Sequence, residues 1–241
     1  MITDLLLSGE GFFSLIEAYD KQLLLAVNGS DSLFLDRLVR TLTNAFTWVP
    51  FYVSMLWLVI RSNETVRKVL YVLLGAAICV LLAGSVDDLI VKPTVARWRP
   101  THDPEIGMLV DIVDGYRGGR YGFFSAHAAN TFSLAIFFCW LVRSRVLSIA
   151  VVIWSFTNCW TRLYLGVHFP GDILVGLIWG SLVGSFAYFV YYRLTRQMVV
   201  NKNHLFSSHY TATGFDKNKV NVPVCILVFT LVFALIKATI I

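Results

Sequence analysis

The chain has 241 residues, 57% of them hydrophobic and only 15% charged, with a net charge of +5. Soluble domains carry about 25% charged residues, so this composition argues against a water-soluble fold and for a bilayer as solvent. The basic residues form no run longer than two, a pattern that fits headgroup anchoring and anion binding rather than a nucleic-acid partner.

Residues 1–41 read as amphipathic interfacial helices. Met1–Gly11 has no Lys or Arg and makes a poor secretory signal. Phe12, Phe13, Leu15, Ile16 and Tyr19 alternate with Glu17 and Asp20, and Leu33, Phe34, Leu35, Leu38 and Val39 surround Asp36, Arg37 and Arg40. Such segments lie along a membrane with one wet face.

Residues 42–241 form the membrane domain. Six apolar stretches approach the roughly 20 residues a span needs: Leu42–Ile60, Val69–Ala83, Ala126–Val142, Val146–Leu163, Pro170–Tyr191 and Val222–Ile241. The second continues to about Ile90 and carries Asp87 and Asp88. The expected fold is therefore all-α, an integral membrane bundle of about six transmembrane helices. Asn201–Lys219 is polar and expected to be a loop. Four cysteines, without CxxC spacing, read as small buried apolar residues.

Ionisable residues are costly beside a membrane, so each is a functional candidate. Three clusters stand out: Lys92 to Pro100, containing Arg97 and Arg99; Phe124-Ser125-Ala126-His127; and Arg162, His168 and Asp172. No span separates Arg99 from Ser125, and two spans separate His127 from Arg162. Counting crossings puts all three clusters at one membrane face.

Helix ends sharpen this. Ser125 precedes an apolar run and reads as an N-cap, which leaves the amides near Ala126 and His127 to bind an anion. Pro170 reads as the first residue of the fifth span, with His168 just before it and Asp172 in its first turn. A bond from Asp172 to one nitrogen of His168 would fix the tautomer and leave the other nitrogen to attack. Lys92, Arg99 and Arg162 suit a phosphoryl group, and His127 could protonate a leaving oxygen. His168 and Asp172 also have the spacing of a metal pair, with His127 as third ligand; three nearby cations argue against a metal, and none is expected.

These residues resemble the signatures of the type 2 phosphatidic acid phosphatase superfamily of lipid phosphatases. Lys92 and Arg99-Pro100 fit its first motif. Phe124-Ser125-Ala126-His127 resembles Pro-Ser-Gly-His, and Thr161-Arg162, His168 and Asp172 fit its third motif. The resemblance covers Lys92 to Asp172 by motif. It implies a phosphohistidine mechanism without metal or cofactor: His168 as nucleophile, Asp172 as its orienting partner, His127 as acid and then base. Lys92, Arg99, Ser125, Ala126 and Arg162 would hold the phosphate. The departures are Phe124, Ala126 and Thr161; alanine at 126 would be strained if the position required a positive φ.

The expected function is dephosphorylation of a lipid-linked phosphate, either an undecaprenyl diphosphate-type carrier or a lipid A phosphate. The alternatives are a lipid-to-lipid phosphotransferase of the same architecture, and a transporter or an inactive scaffold. A transporter would spread its charges along several spans at mid-depth. The loops Arg61–Lys68, Arg143–Arg145 and Tyr192–Val220 hold ten Lys and Arg, against six on the other side once Lys92, Arg99 and Arg162 are set aside. The positive-inside rule then makes the first group cytoplasmic. The site would face the periplasm or exterior of a bacterial inner membrane. Asp111, Asp114, Tyr116, Arg117 and Arg120, in the loop between the second and third spans, are candidates to read the lipid headgroup.

Overall fold

A computed structural model describes residues 9–63, 65–197 and 209–240. Among these the chain is all-α. The eight main helices are α1 (Gly9–Val27), α2 (Leu33–Thr43), α3 (Val49–Ser62), α4 (Val66–Val80), α5 (Ala126–Val142), α6 (Arg145–Tyr164), α7 (Pro170–Thr195) and α8 (Lys217–Ile240). Two wide π turns, Leu81–Ser85 and Asp87–Val91, and a last turn, Lys92–Val95, prolong α4. Five helical stretches are long and apolar enough to cross a bilayer: Ala45–Ser62, Val66–Val95, α6, α7 and α8. Helix α5, expected as a further span, is apolar but only 17 residues long.

Three boundaries differ from the sequence expectation. The first span starts later, because Asn44 ends α2 and starts a tight turn: its side chain accepts from the Phe46 amide, while Thr47 Oγ1 donates to the Thr41 carbonyl. Helix α2 thus crosses the 41/42 boundary drawn from composition. The second span runs on to Val95, ending where Ala96 turns left-handed (φ 47°). Helix α8 begins at Lys217, inside the stretch expected to be loop; residues 201–208 of that stretch lie outside the described residues. Of the cysteines, Cys79 and Cys159 are buried, whereas Cys225 is exposed.

The bundle is built around α5 and α7. Gly176, Gly180 and Gly184 repeat every four residues along one face of α7. A Cβ at Gly176 would stand 2.8 Å from the Ser125 carbonyl oxygen, and one at Gly180 only 2.7 Å from that of Ala129. Small residues at such a stripe let two backbones approach closely, the main source of helix association in lipid. Trp154 anchors the rest of the core, with Trp48, Phe51 and Tyr52 packed around its indole. The outer faces keep large apolar side chains exposed, among them Leu70, Leu81, Ile149, Leu174 and Phe229, as a lipid-facing surface requires.

The two ends of the bundle are closed differently. At one end Lys219 Nζ donates to the Arg61 carbonyl and Thr213 Oγ1 to the Val142 carbonyl, tying three connections together. At the other end α1 and α2 fold over the bundle. Asn28 bonds the carbonyls of Tyr164 and Asp111, and the Tyr164 hydroxyl donates to Asp36. The first of these helices does not keep a wholly wet polar face: Asp20, expected to be solvated, is buried at 6% exposure, because Arg97 and the Gly171 amide both reach it.

Candidate active site

The site is assembled from two helix starts and one loop. Ser125 caps α5, its hydroxyl accepting from the Ala128 amide at 3.4 Å. The Ala126 and His127 amides follow in the first turn, where no carbonyl stands one turn back to receive them. Ala126 is helical and is not among the positive-φ residues, so the strain feared for alanine does not arise. The other start is that of α7, with Pro170 as first residue and Asp172 in the first turn. The close α5–α7 packing brings the two starts into contact: the Ser125 amide donates to the Asp172 carbonyl at 3.1 Å.

The loop is a short antiparallel pairing. Trp98 bridges to Tyr121, the Arg99 amide donates to the Arg120 carbonyl, and the Gly122 amide donates to the Arg97 carbonyl. Alternation along an extended strand sends residues 97 and 99 to one side.

His168 is 2% exposed and sits between an arginine and a carboxylate. Arg99 Nη1 lies 3.2 Å from His168 Nε2 and also donates to the Val167 carbonyl at 3.2 Å; its Nε donates to the Tyr121 carbonyl. A guanidinium has no acceptor. The nitrogen facing Arg99 therefore carries the lone pair, and the proton of neutral His168 sits on Nδ1. Nδ1 faces Asp172 Oδ2 at 3.6 Å, longer than a hydrogen bond. Asp172 is fully buried. Its Oδ2 accepts from the Phe169 amide at 3.0 Å and its Oδ1 from Arg97 Nη1 at 2.7 Å. Burial pushes the His168 pKa down to about 4, against the opposing pull of Asp172.

The remaining expected residues surround this pair. Arg162, 2% exposed, is held by Thr43 and Thr161 hydroxyls at 2.6 and 3.3 Å. His127 is exposed and within electrostatic reach of Arg162, His168, Arg99 and Lys92. Lys92 is turned aside: its ammonium is 2.8 Å from Asp87 Oδ2 and 2.6 Å from Asp88 Oδ1. Expected as a free phosphate ligand, it stands here in a pair of carboxylates, which a phosphate would have to rival. No group of three His, Cys, Asp or Glu side chains suited to a metal occurs among the described residues.

In the loop of expected headgroup readers, three charges have structural partners. Asp114 pairs with Arg40, Arg117 donates to the Thr101 carbonyl, and Arg120 lies 4.3 Å over Trp98. Asp111 is fixed through its backbone by Asn28. Tyr116 is different, its hydroxyl lying against Arg162 and near Arg99. Sequence reasoning missed Arg97, Asp20 and Thr43 as supports of the site. Arg97 had a signal in its alternation with Arg99; Asp20 and Thr43 act across more than 70 residues of sequence and had none.

The site thus brings together a buried histidine with its lone pair beside a guanidinium, a carboxylate facing its other nitrogen, and a second histidine close by. The PAP2 superfamily profile matches residues 65–196, which include every expected site residue, and the chain belongs to that superfamily. It is 43% identical over 181 residues to the lipid A 4'-phosphatase of Bacteroides thetaiotaomicron, covering 74% of this chain and 80% of that protein. It is 34% identical over 174 residues to the lipid A 4'-phosphatase of Porphyromonas gingivalis, covering 71% and 72%. The lipid A 1-phosphatase of Rhizobium etli is 30% identical over 115 residues, 47% of this chain and 48% of that protein. No solved structure matches the chain. The protein is an integral membrane enzyme, a lipid phosphate phosphatase.

Proposed function

We propose that the enzyme removes the 4'-phosphate of a lipid A-type acylated disaccharide through a phosphohistidine on His168. The similarity to two lipid A 4'-phosphatases over more than two thirds of the chain carries the choice of substrate. The contact between Arg99 and His168 Nε2 supports the mechanism.

In the first step Nε2 attacks phosphorus and the bond to the sugar oxygen breaks. His127, protonated once the anionic phosphate stands beside it, gives its proton to that oxygen. The added positive charge on the His168 ring is met by Asp172 through Nδ1. In the second step His127, now neutral, takes a proton from water, and the resulting hydroxide displaces His168 and releases inorganic phosphate. Arg99, Arg162, Lys92, the Ser125 hydroxyl and the first-turn amides of Ala126 and His127 meet the charge on the equatorial oxygens, which is where most of the stabilisation of such a transition state arises. Helices α1 and α2 lie along the membrane surface, and the site opens to the periplasmic side of a bacterial inner membrane.

The test is phosphate release in detergent, with chelator, from bisphosphorylated lipid A, the two monophosphates and undecaprenyl diphosphate. The 4'-phosphate is the expected target, with release abolished in His168→Ala. Preference for the 1-phosphate or for the prenyl diphosphate would move the substrate assignment. Release lost to chelator alone would replace the phosphohistidine step with a metal-assisted one. Phosphate appearing on an added acceptor lipid instead of in solution would make the enzyme a phosphotransferase.

A further inference from the structure

Asp172 does not stand alone behind His168. Arg97 donates from Nη1 to Asp172 Oδ1 at 2.7 Å and from Nη2 to Asp20 Oδ2 at 2.6 Å. Asp20 comes from α1, the helix expected only to lie along the membrane. Its other oxygen, Oδ1, accepts from the Gly171 amide at 2.6 Å, one residue before Asp172. Asp20 and Asp172 side chains are 7% and 0% exposed, and the Arg97 side chain 25%. The Arg97 guanidinium also lies 4.3 Å over the Phe169 ring, next to His168 in sequence.

We infer that Asp20 and Arg97 are positioning residues: an acid from the N-terminal helix holds the guanidinium that sets the His168 carboxylate. The inference rests on the phosphohistidine reading above. Both terminal nitrogens of Arg97 are engaged by carboxylates, so its charge is already met by two acids and has little left to offer a phosphate. Its remaining effect is on Asp172. With Oδ1 fixed by Arg97, Oδ2 is kept toward Nδ1 of His168, and among the described residues only the Phe169 amide shares that oxygen. The Gly171 amide bond to Asp20 ties the first turn of α7 to α1 as well. Helix α1 thus sets both the start of α7 and the rotation of the carboxylate projecting from it. Glycine at 171 is required by this approach, since a Cβ there would stand 2.8 Å from Asp20 Oδ2.

The experiment compares Asp20→Asn, Arg97→Gln, Arg97→Lys and the double variant with His168→Ala, in the full chain in detergent, on bisphosphorylated lipid A. Asparagine keeps the shape of Asp20 and an acceptor for Gly171 but loses the charge. A misplacement near 1 Å costs about a hundredfold in rate. Arg97→Gln is expected to lose about a hundredfold in kcat, and Asp20→Asn about tenfold, both with KM and the inhibition constant of inorganic phosphate within twofold of native. Lysine at 97 cannot span two carboxylates and is expected to recover only part of the loss. Adding Asp20→Asn to Arg97→Gln should cost nothing further, because the acid acts through the arginine. Thermal unfolding followed by tryptophan fluorescence separates this from collapse; if Arg97→Gln does not fold, Asp20→Asn decides alone. Turnover within threefold of native in Asp20→Asn and Arg97→Gln, with His168→Ala inactive, would overturn the inference and leave the phosphohistidine reading standing. So would a loss seen equally in KM and phosphate inhibition. Turnover persisting in His168→Ala would remove both.

Discussion

Arg97 and Arg99 stand two residues apart on the same side of one loop, yet they belong to different regions of the site. Arg97 faces α1 and α7 and is paired with Asp20 and Asp172. Arg99 faces His168 and bonds two carbonyls and its imidazole, with no carboxylate in contact among the described residues. Burial presses on both guanidiniums. At Arg97 the two carboxylates more than compensate, and its pKa stands above the ordinary value; at Arg99 burial prevails and the value is lowered. Both remain cations at any working pH. A cation already neutralised acts as a strut, whereas one left without a counter-ion has its field to offer to a phosphate.

The comparison predicts an ordering of losses. Asp172→Asn should be most severe, about a thousandfold in kcat, because an amide can present its N–H to Nδ1 and favour the wrong tautomer. A native-like rate in that variant would sink the role given to the carboxylate. Arg99→Gln should follow, with about a hundredfold lower kcat/KM and clearly weaker inhibition by inorganic phosphate. That last readout separates the two arginines: it should move for Arg99 and stay still for Arg97. If both variants weakened phosphate binding alike, the division between strut and ligand would collapse.

The acid side of the pH profile sharpens the same picture. His168 is neutral above about pH 4, whereas an unfolded histidine titrates near 6.5. Between these values the unfolded chain binds a proton that the folded chain refuses. The stability contribution is therefore complete above about 6.5 and is lost as pH falls through that window toward 4. The folded His168 imidazole stays neutral throughout, the form the proposed attack requires. The acid limb of kcat/KM due to His168 should lie near pH 4, measured on a substrate whose own phosphate ionisation is known. An imidazole titration near 6.5, followed by NMR and absent from His168→Ala, would contradict the buried, guanidinium-facing environment.

Most of this site was legible in the sequence because its parts obey local rules. Ser125 before an apolar run, Pro170 opening a helix, and His168 and Asp172 flanking it are all read within one turn of chain. Crossing counts then gathered the clusters without any contact being known. What sequence could not supply was long-range pairing. Asp20 reads as one polar residue on an amphipathic helix, and nothing within α1 says that Arg97, 77 residues away, will bury it. Lys92 reads as a phosphate ligand, and only the wide turns ending α4 reveal how Asp87 and Asp88 hold it. The glycine stripe on α7 took its meaning only from the structure, which shows α5 backbone packed against it.

That stripe carries the smallest of the expected effects, and the one that connects packing to chemistry. Gly180 lies two turns below the site, against the Ala129 carbonyl, where an added Cβ would come within 2.7 Å of backbone oxygen. Backbone cannot swing aside as a side chain can, so Gly180→Ala must part the helices or strain them. Overpacking of this kind costs about 1–3 kcal/mol, read as a lower thermal midpoint in detergent. The separation should be felt at the Ser125–Asp172 backbone bond, which joins the two helix starts. Turnover should therefore fall severalfold more than the midpoint shift alone explains, when assayed well below that midpoint. A destabilised variant with native kcat would mean that the Arg97 strut and the loop hold the site without help from the α5–α7 contact.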